Sequence, residues 1–373
     1  MRRSMPIAGA AVVLLAACAD TPSAPDVRPE PQASVAQAAP RYLVTFRAGV
    51  QVDATTAELA RRYGLGVQRV RHFAARGFTA VVPEARVTAL RADPRVLIVE
   101  RDGPVSLIQP IVEAKPGGGG GGGQTVPWGI TRVGGAGDGT GKTAWIIDTG
   151  IDLDHPDLNT TRQCHVNFST GSSPDDGNGH GTHVAGTIAA RNNSIGVVGV
   201  AANAYVCAVR VLNNAGSGTW ADVVAGVDYV AANGASGDVA NMSLGGSGSN
   251  ATLEQAVLDA SAKVRFALAA GNNGSNAANF TPARVNGSNI YTVSAVDSRN
   301  CVASWSNWGN PPVDYAAPGV SILSTYKGGG TRTLSGTSMA APHVAGVLLM
   351  GGIRGDGTAS CDPDGNPDPI AHR

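Results

Sequence analysis

Three residues of this 373-residue chain have the types and local contexts that nucleophilic acyl transfer requires. Asp148 stands in Asp148-Thr-Gly-Ile, His180 in His180-Gly-Thr-His-Val-Ala-Gly, and Ser338 in Gly336-Thr-Ser338-Met-Ala-Ala-Pro-His-Val-Ala-Gly. A serine hydroxyl is a weak nucleophile until a base within hydrogen-bond reach takes its proton, and that base needs a third group to orient it. Ser338 is therefore the expected nucleophile and His180 the general base and then acid. Asp148 is the expected buried carboxylate that orients the imidazole and stabilises its charged form. The order along the chain is acid, base, nucleophile. Esterases built on a G-x-S-x-G elbow use the order Ser, Asp/Glu, His, and no such elbow surrounds Ser338. His180 lies between Gly179 and Gly181, where missing side chains let another backbone and a substrate approach.

The elements around these residues follow from pattern. Ala144-Trp-Ile-Ile147 is a short apolar run that ends at Asp148, so Asp148 is expected at a strand's carboxyl end. Residues 206–212, 239–244, 265–270 and 290–296 read as further strands. Residues 180–190, 220–232 and 252–260 read as helices between them. This alternation predicts an α/β fold, a parallel sheet with helices on both faces, whose sites lie beyond the carboxyl ends of strands. The run from His183 is small and apolar all round, which suits a buried helix. Ser338 is expected at the start of another, where the helix dipole favours a developing anion, with Pro342 near its first turn.

Upstream, the chain changes character. Arg2 and Arg3 precede an apolar stretch from Ala8 to Ala17, too short to span a bilayer, so residues 1–18 read as an export signal. Leu15-Ala-Ala-Cys18 resembles a lipobox and makes Cys18 a lipidation site and the protein a lipid-anchored one. Ala17-Cys18-Ala19 also fits simple cleavage and free secretion. Residues 19–40 form a Pro/Ala-rich tether. Residues 41–108 read as a small α+β unit: strands at Tyr42–Phe46, Phe78–Val82 and Val96–Glu100, and helices at Thr55–Tyr63 and Val87–Ala92. Residues 109–126 hold Pro116 and seven consecutive glycines, a linker open to proteolysis, so a maturation cut is expected between Gln109 and Gln124. Residues 127–373 form the large domain. Beyond Cys18 there are four cysteines, Cys164, Cys207, Cys301 and Cys361. In an exported chain they imply two disulfides, with three pairings open; Cys164–Cys207 with Cys301–Cys361 is favoured. With 28 basic and 28 acidic residues no global field draws the chain to nucleic acid, and a monomer is expected.

From Pro127 to Met350 the chain resembles the subtilase family of serine proteases, most nearly its proteinase K-like branch, on the three motifs quoted above. The resemblance implies a subtilisin-like fold and an endopeptidase acting on protein or peptide substrates, with a broad, apolar-leaning preference before the cut. No cofactor is then required for the chemistry. Ala269-Ala-Gly-Asn272-Asn273 resembles the family's oxyanion segment, which points to the Asn272 amide and the Ser338 N–H, with Asn273 a one-residue ambiguity. Ser243-Leu244-Gly245-Gly246 and Gly216-Ser217-Gly218 resemble the strands that hold an extended peptide. Residues 41–108, most nearly Pro94–Glu100, resemble the family's inhibitory propeptide, so a ferredoxin-like prodomain is expected to act as an intramolecular inhibitor. Asp314 matches a calcium-ligand position and implies a possible structural calcium. Asp152, Asp154, His155 and Asp157 read as structural, Asp362–Asp368 as a solvated turn, and His183 as a structural histidine, since no HExxH glutamate accompanies it. Relatives carry more helix after the serine helix than the glycine- and aspartate-rich stretch Gly351–Arg373 allows. The rival readings are an esterase and a catalytically silent surface binding protein on a protease fold.

Overall fold

The structure is a computed structural model, and it describes residues 40–111 and 123–373. The signal segment, Cys18, nearly all of the tether and residues 112–122 lie outside the described residues.

The large body is built on a nine-stranded sheet. Strand Thr143–Asp148 lies inside it, paired in parallel with Tyr205–Arg210 on one side and Val239–Met242 on the other. Arg265–Ala269, Ile290–Val296 and Val313–Pro318 continue the parallel run. The chain moves outward to 205 and then returns to 239, so the winding direction reverses beside the Asp148 strand. A crevice opens beyond the carboxyl ends at such a reversal.

Alternate residues on these strands bury opposite faces. Trp145, Ile147, Cys207, Val209, Ala240 and Met242 pack one face against helices Trp220–Asn233 and Ala251–Ser261. Ala144, Ile146, Val206, Ala208, Ala267 and Ala269 pack the other against helices His180–Ala189 and Thr337–Leu349. Both of the latter helices are buried along their whole length, as their small apolar sequences predict. Cys164 is bonded to Cys207 and Cys301 to Cys361.

Two expectations need correction. In Gly351–Arg373, Arg354–Thr358 and Pro369–His372 form an antiparallel hairpin that joins the sheet beside Val313–Pro318. Within it Asp368 is only 1% exposed and accepts a hydrogen bond from Ser294 Oγ, so that end of the acidic turn is not solvated. Pro342 lies in the second turn of its helix, past the first. Its missing N–H frees the Ser338 carbonyl, which accepts from Ser243 Oγ at 3.1 Å instead.

The N-terminal unit is a four-stranded antiparallel sheet in the order 66–71, 77–81, 41–46, 96–101, with helices Val52–Tyr63 and Glu84–Arg91. Gly64, at φ 64°, ends the first helix by taking the left-handed conformation that favours glycine. The unit docks on the two outer helices of the large body through carboxylates in both directions. Glu100 accepts from the Ala251 and Thr252 N–H groups, each at 2.9 Å, at the start of one helix. Asp102 accepts from Ala221 N–H at 3.0 Å at the start of the other and pairs with Arg41. In return Asp228 accepts from the Phe73 and Ala74 N–H groups, and Asp259 from that of Ala75. Helix starts carry unpaired N–H groups and partial positive charge, which is why carboxylates hold there. Arg71, fully buried, braces the docking turn by donating to Ala75 O, Thr79 Oγ1 and Val44 O. From this unit the chain runs on as strand Pro104–Leu107 into the large body's crevice.

Candidate active site

Asp148 ends its strand fully buried, and both its oxygens face His180 Nδ1, at 2.9 and 3.0 Å. The Thr149 N–H donates to Asp148 Oδ1 at 2.7 Å and fixes the carboxylate. His180 opens its helix after Gly179, whose φ is 109° and where a Cβ would meet the Tyr326 ring at 2.4 Å. A Cβ at Gly181 would meet Gly150 O at 2.1 Å, so glycine is needed for the helix to approach the Asp148 strand. Burial draws the His180 pKa down. The charge and hydrogen bond of Asp148, with the charge of Asp176 behind them, outweigh that and hold it above the ordinary histidine value.

Sequence reasoning assigned no role to Asp176. Its buried carboxylate accepts from Thr149 Oγ1, Asn178 N–H and Gly179 N–H through one oxygen, and from Thr182 N–H and Thr182 Oγ1 through the other. It ties the turn before His180 to the first turn after it. The signal was the second of two adjacent aspartates, four residues before the histidine, which in a glycine-rich loop reads as turn chemistry.

Ser338 is the second residue of its helix and is fully buried. Its hydroxyl donates to Ile108 O at 3.1 Å and approaches Ser243 O at 3.4 Å. His180 Nε2 has no hydrogen-bond partner among the described residues. Asn272 Oδ1 accepts from Thr337 N–H and Thr337 Oγ1, both at 2.9 Å, which leaves its amide donor to reach Gln109 O at 2.9 Å. Asn273 is exposed, and its N–H is held by Asn307 Oδ1.

The two glycine-bearing segments flank the cleft as edge strands, Ser217–Thr219 on one side and Leu244–Ser247 on the other, with Pro104–Leu107 antiparallel between them. Gly216 sits against Leu107, where a Cβ would come within 2.1 Å of its side chain. Beside Gln109 a cleft of about 340 Å³ is lined by Gly245, Gly246, Ala269, Ala270, Phe280 and Ala283 together with the polar Ser106, Ser247, Asn273 and Thr281.

The remaining candidates separate. His183 is buried, with Nε2 facing Ile322 O and Arg332 O at 3.0 Å, and burial pushes its pKa down to about 3, so it stays neutral. Asp152 accepts from the Gly328 and Gly329 N–H groups and Asp157 from Val197 N–H, which are turn and loop contacts. Asp314 accepts from Thr292 N–H at 2.8 Å, and burial raises its pKa to about 6. No group of three acidic, His or Cys side chains that would hold a metal occurs among the described residues.

Residues 139–350 match the family model described as the subtilase family. The chain belongs to the subtilase family. Alkaline serine exoprotease A of Vibrio alginolyticus is 39% identical to this subtilase over 337 residues, 84% of this chain and 60% of the relative. Proteinase R of Parengyodontium album is 36% identical over 338 residues, 86% of this chain and 81% of that protein. The chain thus spans under two thirds of the length of the Vibrio relative. Among solved structures, a cold adapted subtilisin-like serine proteinase superposes with a TM-score of 0.58 at 39% identity, over 65% of this chain and 96% of the other. Both curated alignments are longer than the large body and take in part of the chain upstream of it.

Proposed function

We propose that this subtilase is a serine endopeptidase made as a self-inhibited precursor, with Ser338 as nucleophile, His180 as base and acid, and Asp148 as the orienting carboxylate. The observation that carries the reading is the chain's own extended segment lying between two edge strands, with backbone carbonyls at the Ser338 hydroxyl and the Asn272 amide. Main-chain pairing on both sides accepts many side-chain sequences, and the Gly, Ala and Phe280 part of the cleft lining favours an apolar residue before the cut. In the reaction Ser338 Oγ bonds to the carbonyl carbon while its proton passes to His180 Nε2. The oxyanion is held by the Asn272 amide and Ser338 N–H, the proton moves to the leaving amine, and water releases the acyl group by the reverse path.

In this reading residues 41–108 are the inhibitory prodomain. Their support is the four-carboxylate docking and the continuation of Arg101 into the cleft strand. Two disulfides suit an exported protein. A lipid on Cys18 would hold the prodomain side of any cut near residues 109–124, so maturation would release the protease from the membrane. If mature wild type fractionates with membranes as fully as uncut Ser338→Ala, that part is wrong. A structural calcium at Asp314 is also part of the reading. Its support is a half-buried carboxylate with no cationic partner among the described salt bridges and a raised pKa. Asp314 supplies one carboxylate, and the other ligands would have to be carbonyls and water. A calcium-dependent rise in Tm that disappears in Asp314→Asn tests it.

The central test uses the chain without residues 1–18, as wild type and as Ser338→Ala, incubated with casein and a fluorophosphonate probe. Wild type should label, digest casein and lose its N-terminal portion, and the variant should do none of these. A wild type that labels but cuts only esters would favour the esterase reading. One that neither labels nor cuts, even with the prodomain removed, would leave the silent binder.

A further inference from the structure

The segment in the cleft is held on both sides of Ser338, and the two holds are out of step. On the N-terminal side Leu107 N–H donates to Gly216 O at 2.8 Å and Ile108 N–H to Ser243 O at 3.3 Å, while Ser106 faces both Gly245 and Ser217. This register brings the Ile108 carbonyl to the Ser338 hydroxyl. On the C-terminal side Ile111 exchanges both backbone hydrogen bonds with Ser335, at 2.7 and 3.1 Å. It is the next carbonyl, that of Gln109, which meets the Asn272 amide. Attack needs one carbonyl to satisfy both groups, its carbon at Ser338 Oγ and its oxygen at the oxyanion donors. Here the two groups hold neighbouring carbonyls, and the serine proton points at Ile108 O rather than at His180 Nε2.

Pro110 accounts for the mismatch. Ser335 O accepts a backbone N–H, and proline has none to give. The pairing therefore skips to Ile111, and two residues fill the span between the Ile108 and Ile111 anchors. Proline also drives the residue before it into extended conformations, which restricts how Gln109 can adjust. With an N–H at position 110 the Ser335 pairing would move back by one residue. Only Gln109 would then lie between the anchors, and the Ile108 carbonyl would reach Asn272.

We infer that Ile108–Gln109 is the self-processing bond of this chain and that Pro110 holds it one residue out of register, so that the precursor is a slow substrate of itself. The inference rests on the protease reading above. In the step itself Ser338 Oγ bonds to the Ile108 carbonyl carbon and the Ile108–Gln109 C–N bond breaks. The serine proton leaves through His180 with the Gln109 amine, and water converts the Ile108 ester to a carboxylate.

The test refolds the chain without residues 1–18 from denaturant at high dilution, where cutting between molecules is suppressed, and follows intact mass and new N-termini. Wild type, Pro110→Ala and Pro110→Ser are compared, each also in the Ser338→Ala background. Both proline variants should expose Gln109 as a new N-terminus, by a process independent of protein concentration and at least tenfold faster than wild type. Equal rates at that bond in wild type and variants overturn the inference while the protease reading stands. So does a variant cut at the 109–110 bond, since Gln109 would then be the reacting carbonyl. So does the absence of any cut here in chains that digest casein once the N-terminal unit is removed with trypsin. If no form labels with a fluorophosphonate or digests casein, the protease reading falls and takes the inference with it.

Discussion

Replacing Asp176 with asparagine separates the positioning of His180 from its chemistry. The carboxylate receives three donors on one oxygen and two on the other, four of them at 2.8–3.0 Å and the Thr182 hydroxyl at 2.6 Å. An asparagine must turn its NH2 toward one set. If it replaces the oxygen at Thr182, the Thr182 N–H loses its acceptor. If it replaces the other, Asn178 and Gly179 lose theirs. A buried donor left unpaired costs about 1–3 kcal/mol. The cheapest relief is a shift of the 176–182 turn that carries His180, so kcat should fall about 10–100-fold while KM changes little. The change also removes an anion that helps hold the His180 pKa up against burial. That pKa must fall, so the acid limb of the kcat/KM profile must move to lower pH. The assay is peptide-anilide hydrolysis by the mature enzyme from pH 5 to 9, with a thermal melt to show that the variant is folded. A folded variant with kcat within threefold of wild type and an unmoved acid limb would refute the reasoning.

Asn272→Ala should lower kcat by about 10²–10³, the loss typical of one oxyanion donor, with KM little changed in steady-state kinetics. Glu100→Ala leaves the Ala251 and Thr252 N–H groups to water at the docking face and should weaken inhibition by the N-terminal unit about 5–30-fold (about 1–2 kcal/mol), read as residual activity after the chain is cut. Asp368 has its pKa raised by burial to about 6 in the folded state, despite the Ser294 hydrogen bond. Its contribution to stability is therefore full below the unfolded value near 4 and is lost as pH rises toward 6. Asp368→Asn, which keeps an acceptor for Ser294, should match wild type in Tm at pH 4 and exceed it at pH 8.

Legibility followed how local each signal was. Asp148, His180 and Ser338 could be singled out as candidates because each sits where an apolar run starts or ends, and burial of that run fixes the residue's place in the fold. The strands that hold the cleft segment were legible only by resemblance. Ser217-Gly-Thr219 is too short for alternation to register, and Pro104–Leu107 pairs with partners more than 100 residues away. Strand Gly66–Arg71 escaped because Gly66, Val67 and Gln68 are exposed while Arg71 is buried, so no apolar alternation marks it, and its pairing with 77–81 supplies what its sequence lacks. The C-terminal hairpin was hidden for a similar reason: all five residues of Arg354–Thr358 are exposed, so no apolar pattern marks them. Pro342 was misplaced by one turn because the acceptor it frees is used by Ser243, a contact that only the fold creates.

Val105 and Leu107 belong to the same buried cluster as Leu212, Trp220, Leu244 and Leu253. If the N-terminal segment leaves as proposed, two side chains are taken out of that interior and the apolar slots they filled open to water. Any polypeptide that enters the cleft with apolar residues two apart restores the missing layer. On the proposed reading, the protein without that segment would be an unfinished globule that other chains complete for the lifetime of each encounter. Its resistance to heat should therefore rise with the logarithm of free peptide concentration once that exceeds the Kd, even for a peptide that Ser338 never cuts.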